Sequence, residues 1–315
     1  MSSLRYHGLA LGTSVVTLAL GVVLGVGPIT DHQDAVHAAS ADALKARQAV
    51  LTDRLRTATT RAATDQALAR SLTKPLLRNQ LDGRQVLLVA APGAERATLR
   101  RTSTAVRQAG ATVTATLTVR ADYVDPTKAQ SPLEDLALRL VPPGVTFADG
   151  ATPIARVGTV LARSTVTKDP SAAGKIDQKA AELIAGLEEL DAITLSGDPG
   201  RLADLAVVVA GPAPRGTEAR EGSRDALVGL VTALQTTSRG TVVLGSPAPS
   251  NLVAQIRAQT VAKRASTVDT AGSGAGDLAT VLGLAEQVGG ASGDYGSGPG
   301  ADALVPEVSQ VAARD

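Results

Sequence analysis

Residues 85–119, QVLLVAAPGAERATLRRTSTAVRQAGATVTATLTV, decide the fold class. Gln85 to Ala91 is a short apolar run closed by Pro92-Gly93, the pattern of a buried strand and its turn. Glu95 to Gln108 follows with Leu99, Val106 and Ala109 at helical spacing and is stopped by Gly110. Ala111 to Val119 then alternates small and β-branched residues, as a second strand does. A strand, a helix and a strand in so short a span make a parallel βαβ unit, because a parallel partner requires a crossover rather than a hairpin.

Downstream the alternation resumes after an interruption. Between Ala121 and Ala173 the spacing predicts two helices, Pro132–Leu140 and Thr152–Leu161, parted by Val141-Pro-Pro-Gly144; this is a helical insertion. Lys175–Leu190 is a firmer helix, and Ile193–Leu195 reads as a short strand or a loop. Ala203–Ala210 is a continuous apolar run, as expected of a strand covered on both faces. Helices at Arg220–Thr237, Asn251–Val261 and about Asp277–Val288 alternate with strands at Gly240–Gly245 and Ala265–Val268, the last strand expected. The glycine-rich tail reads as irregular, with a disordered end after Pro306. Together these elements predict an α/β fold with a Rossmann-like, mostly parallel sheet and helices on both faces.

Upstream, His32 to Lys74 lacks glycine and proline and is rich in Ala, Leu, Arg and Gln, the composition of a long helix that Pro75 should end or kink. A heptad counted from Leu44 places Leu44, Leu51, Leu55, Ala58, Ala62, Ala69, Leu72 and Leu76 on one seam, interrupted by Gln48 and Asp65. Such a seam suits a coiled coil or stalk; an amphipathic helix packed on its own domain fits the same residues.

Earlier still, Leu9 to Ile29 carries no charged side chain, and as a helix it would reach roughly 31 Å, the thickness of a bilayer's hydrocarbon. Arg5 before it and Asp31 and Asp34 after it orient the N-terminus to the cytoplasm and the bulk of the chain outside. A cleaved signal peptide competes with this single-pass anchor, since Val36-His37-Ala38 loosely resembles a cleavage site, but the apolar run is long for a signal core. Thr13, Thr17, Gly21 and Gly25 recur every fourth residue, a small-residue stripe on which two anchors can pack and hold a homo-oligomer through anchor and stalk. The boundaries that follow are 1–30 for the anchor, 31–78 for the stalk, 79–290 for the α/β domain with its insertion at about 121–173, and 291–315 for the tail.

Composition narrows the chemistry. With 31 basic and 30 acidic residues the formal net charge is +1, so nothing advertises nucleic acid as a partner. There is no cysteine, which excludes disulfides and thiolate metal sites. Aromatic residues make up 1% of the chain, so Ala, Val and Leu must build the core. Turns at Ala91-Pro92-Gly93, Gly211-Pro212 and Gly245-Ser246-Pro247 should gather at the carboxyl edge of the sheet, where α/β folds bind ligands, yet none forms a phosphate-cradling loop. The three histidines, His7, His32 and His37, all sit beside the anchor, which leaves the α/β domain without a histidine base and points away from an enzyme. His32 and His37, with Asp31 and Asp34, are the weak candidates for a metal site; solvated residues at a helix start are the plainer reading. No resident cofactor is expected.

The opening SLRYHGLALGTSVVTLALGVVLGVGPI, the helix after it and the late ASTVDTAGSGAGDLATVLGLAEQVGGASGDYGSGPGADALVP together resemble the actinobacterial MctB family of copper-transport proteins. Asp269 after Val268, the helix from Gly276, and the Tyr295-Gly296 pair stand out in that likeness. The resemblance implies a cell-envelope protein of copper efflux and homeostasis, copper as the transported ion, and an outer-membrane location with pore formation. The residues themselves keep a second expectation open: a membrane-anchored structural or regulatory protein whose α/β domain binds another envelope protein.

Overall fold

The computed structural model describes residues 33–125, 132–212, 217–248, 251–259 and 265–307. The predicted anchor, with Thr13, Thr17, Gly21 and Gly25, therefore lies outside the described residues, as does His32. Among the described residues no helix is long and apolar enough to cross a membrane. The chain divides into two compact units between Thr64 and Asp65.

The first helix, α1 (Gln33–Leu77), continues through Pro75 rather than ending there. Leu77, its last residue, and Leu81, just beyond it, are fully buried. Burying two leucines stabilises by about 1.5–3 kcal/mol each, enough to offset the roughly 3 kcal/mol that a proline costs inside a helix.

The body is a seven-stranded sheet in the order β3-β2-β1-β4-β5-β6-β7. Its strands are β1 (Gln85–Ala90), β2 (Thr112–Val119), β3 (Ile193–Gly197), β4 (Leu205–Val209), β5 (Gly240–Leu244), β6 (Ser266–Val268) and β7 (Asp294–Tyr295). All neighbouring pairs are parallel except β2 with the edge strand β3. The expected βαβ unit is present, with α2 (Arg96–Gln108) as its crossover. The helical insertion between β2 and β3 comprises α3 (Ala121–Val124), α4 (Pro132–Arg139) and α5 (Pro153–Arg163), followed by α6 (Gln178–Glu189). The later crossovers are α7 (Thr217–Thr237), α8 (Leu252–Arg257) and α9 (Gly274–Val288).

Strand periodicity sorts the core into two layers. Leu87, Val89, Leu117, Ala206, Val208 and Val243 face the insertion helices, α7 and α8. Val86, Leu88, Val207, Val209, Val242 and Leu244 face α2 and α9. Successive side chains on a strand point to opposite faces, so the central strands must be apolar at every position; β4 and β5 are buried throughout. Asp204, itself buried, secures the amino ends of β1 and β4 by accepting from the Gln85 amide at 2.7 Å and from Arg84 Nη1 at 3.1 Å.

One crossover departs from the rest. β1 to β2 runs one way along the sheet with α2 on one face; β4 to β5 to β6 runs the other way with α7 and α8 on the opposite face. Reversing both direction and face preserves the hand, so these three agree. α9 carries the chain onward from β6 to β7 in the direction of α7 and α8 but packs on the α2 face, where Arg101 Nη2 donates to Asp277 Oδ2 at 2.7 Å. That connection has the opposite hand, and about 98% of such crossovers are right-handed. β7 also corrects an expectation: part of the tail read as irregular pairs with β6, and Ser266–Val268 is not the last strand.

Candidate functional site

β7 holds only two residues, and a polar cluster keeps it on the sheet. Its centre is Arg257, the last residue of α8. Asn251 caps that helix by accepting from the Ala254 amide at 3.1 Å, and Leu252, Val253 and Ile256 bury its apolar face. The guanidinium is thereby carried under the carboxyl ends of β6 and β7.

Every nitrogen of Arg257 is engaged. Nε donates to Thr267 Oγ1 at 2.8 Å, Nη1 to Asp269 Oδ2 at 2.8 Å and to the Pro299 carbonyl at 3.0 Å, and Nη2 to the Tyr295 carbonyl at 2.9 Å. Thr267 passes its own hydroxyl proton toward Asp294 Oδ1 at 2.7 Å. Asp269 takes the Ser297 amide on Oδ1 at 2.8 Å and the Gly298 amide on Oδ2 at 2.9 Å. Asp302 closes the loop, accepting from the Asp294 amide at 3.0 Å. The Arg257 guanidinium faces two carboxylates, Asp269 and Asp294, and backbone N–H groups add their partial positive charge at Asp269. Buried charges survive only when paired and hydrogen-bonded in this way.

The glycines between these groups are steric necessities. Gly296 has φ +132°, and a Cβ there would stand 1.9 Å from Asp269 Oδ1. Glycine reaches that backbone region and admits a carboxylate so close because it has no Cβ.

Asp269, Tyr295 and Gly296, singled out in the sequence on resemblance alone, are thus brought together: the Asp269 amide donates to the Tyr295 carbonyl at 3.0 Å. Arg257, Thr267, Asp294 and Glu286 belong to the same cluster and were not anticipated. The glycine-rich GDYGSGPG was the available signal, since such a run marks close backbone approach. His37 falls within α1, with nothing described of its side chain.

Tyr295 donates to Glu286 Oε2 at 2.6 Å, tying β7 back to α9. Burial first, then that bond and the charges of Glu286, Asp302 and Asp294, push the Tyr295 phenol above the ordinary tyrosine range; burial alone does so for Tyr123. Both native groups therefore hold their protons beyond the unfolded value of about 10, so stability is unaffected by them below that pH and falls as pH rises above it. A tyrosinate absorbance titration should show at least two of the three tyrosines lagging behind the urea-unfolded chain, with Tyr295→Phe and Tyr123→Phe each removing one late step. Coincident native and unfolded curves would contradict this environment.

At the carboxyl ends of β1 and β4, where the strand order reverses and a ligand crevice was expected, the described parts of the two turns approach each other closely. A Cβ on Gly211 would lie 1.9 Å from the Pro92 carbonyl oxygen, and one on Gly93 would lie 3.0 Å from Pro212 Cδ. Among the described residues no group of three or more His, Asp or Glu is placed to hold a metal ion.

Residues 1–306 match the family described as "Copper transport outer membrane protein, MctB". The chain belongs to the MctB family. Similar proteins include the copper transporter MctB of Mycobacterium bovis and that of Mycobacterium tuberculosis strain H37Rv, each 26% identical over 309 residues, covering 96% of this chain and 98% of the relative. The MctB match takes in the apolar N-terminal run, α1 and the whole sheet, and it runs past Asp302, the last residue of the Arg257 cluster.

Proposed function

We propose that this protein assists copper efflux across the cell envelope as a single-pass, self-associating protein, with its N-terminus inside and its α/β body outside the cytoplasm. The observation that carries this reading is the MctB match from residue 1 to 306, which spans the apolar N-terminal run, α1 and the body. Copper is the cargo rather than a resident cofactor. The chain has no cysteine and its one methionine is Met1, while Cu(I) prefers thiolate and thioether ligands. The carboxylates of the Arg257 cluster are occupied by a guanidinium and by amides. The body then serves to position or dock a conduit, and it is not an enzyme. A helical anchor favours the inner membrane, since outer-membrane spans are closed barrels of tilted strands.

Cells lacking the protein should accumulate copper and grow poorly on it, and the intact gene should restore both. Unchanged metal content would count against the copper role.

The absence of a metal-holding cluster among the described residues favours a second reading, in which the body binds an envelope protein and handles no metal. Crosslinking that recovers such a partner, together with normal copper tolerance, would select it.

A further inference from the structure

The heptad register of α1 carries a direction as well as a seam. Leu44, Leu51 and Leu55 occupy core positions of that register and are 65%, 58% and 65% exposed, on a helix of 45 residues. Leucines spaced seven and four apart on a long helix form one apolar stripe, the surface that a coiled-coil partner covers. Gln48 lies at the core position between Leu44 and Leu51, and Asp65, again at a core position, closes the stripe on its far side.

The flanks of the stripe differ from each other. On one side stand Arg47, Arg54 and Arg61; on the other stand Lys45, Thr52 and Thr59. In a parallel pair each flank meets the opposite flank of the partner one heptad on, so Arg47 faces Thr52 and Arg54 faces Thr59. In an antiparallel pair each flank meets its own kind, which sets a column of three arginines against three more. Flanking charges of this kind choose orientation. A polar core residue chooses register, and only the parallel, in-register pair brings Gln48 against Gln48, where two amides can hydrogen-bond instead of lying buried against leucine.

We propose that α1 pairs with the α1 of a second copy of this chain, parallel and in register, through Leu44, Gln48, Leu51 and Leu55. This rests on the self-association proposed above and adds its direction; parallel pairing also sends both N-termini toward the same membrane.

The chain contains no cysteine, so single cysteines report without background. Full-length Leu44→Cys, Leu51→Cys and Leu55→Cys, each purified in detergent and mildly oxidised, should form disulfide-linked dimers several-fold more completely than Asp53→Cys, on the opposite side of the helix. Equal crosslinking of Asp53→Cys would overturn the seam. Dimers from a mixture of Leu44→Cys and Leu55→Cys, without dimers of either variant alone, would establish antiparallel pairing and overturn the direction. No dimer at any seam position would overturn the pairing itself. The readout involves no copper, so its failure is distinct from failure of the efflux role.

Discussion

Arg257→Met should destabilise the body by about 3–5 kcal/mol, because it deletes the guanidinium that lies between two buried carboxylates, Asp269 and Asp294. The Arg257 side chain is 9% exposed and that of Asp269 is 1% exposed, so water cannot replace the lost donors. The methionine fills most of the arginine stem's volume, which keeps a cavity from dominating the result. Chemical denaturation of the full chain measures the loss. Hydrogen exchange should place it first in β7 and its loop, where the Tyr295 and Pro299 carbonyls also lose the guanidinium donors. Adding Asp269→Leu to Arg257→Met should recover part of the deficit, since removing both members of a buried pair costs less than removing one. A deficit below about 1 kcal/mol would mean that the pair is hydrated, and the cluster would not be the clasp described.

Much of the body could be read from pattern. β1, β4 and β5 are apolar runs bounded by Gly and Pro, and the helices between them have a clear period, so existence and type followed directly. What escaped was whatever depends on distant partners. Asp294–Tyr295 has no strand pattern of its own; it is a strand because β6 and the Arg257 guanidinium hold its backbone. Ile193–Leu195 read as strand or loop for a similar reason, since the strand it belongs to, Ile193–Gly197, is an antiparallel edge with half-exposed faces. Arg257 was invisible because one arginine ending a helix is ordinary until a fold sets two aspartates beside it. At the strand-order reversal Pro92 and Gly211 lie close together, a turn contact about which hydrophobic periodicity says nothing. The odd-handed final crossover was beyond periodicity too, since a helix's apolar stripe fits either face. A connection of the disfavoured hand needs specific ties to persist, and the polar cluster supplies them at the end of the chain where two residues of ladder would not.

The same logic makes Gly296→Ala the most damaging single methyl group in the body's tail. Two effects add. At φ +132° an alanine enters backbone territory essentially reserved for glycine, a strain of about 1–3 kcal/mol. Its Cβ would also stand 1.9 Å from Asp269 Oδ1, so the carboxylate must move and give up the Ser297 amide it accepts at 2.8 Å. Disturbing a buried charge's hydrogen bond adds roughly 1.5–3 kcal/mol, for a total of about 3–5 kcal/mol. Gly150→Ala is the control: its φ is also positive, +72°, but nothing lies within 4 Å of the added Cβ, so only the left-handed strain of about 1–2 kcal/mol applies. Denaturation midpoints of the two variants should separate the contact from the conformation. If Gly296→Ala is no worse than Gly150→Ala, Asp269 does not sit against the Tyr295-Gly296 turn, and the account of how the last strand is held fails with it.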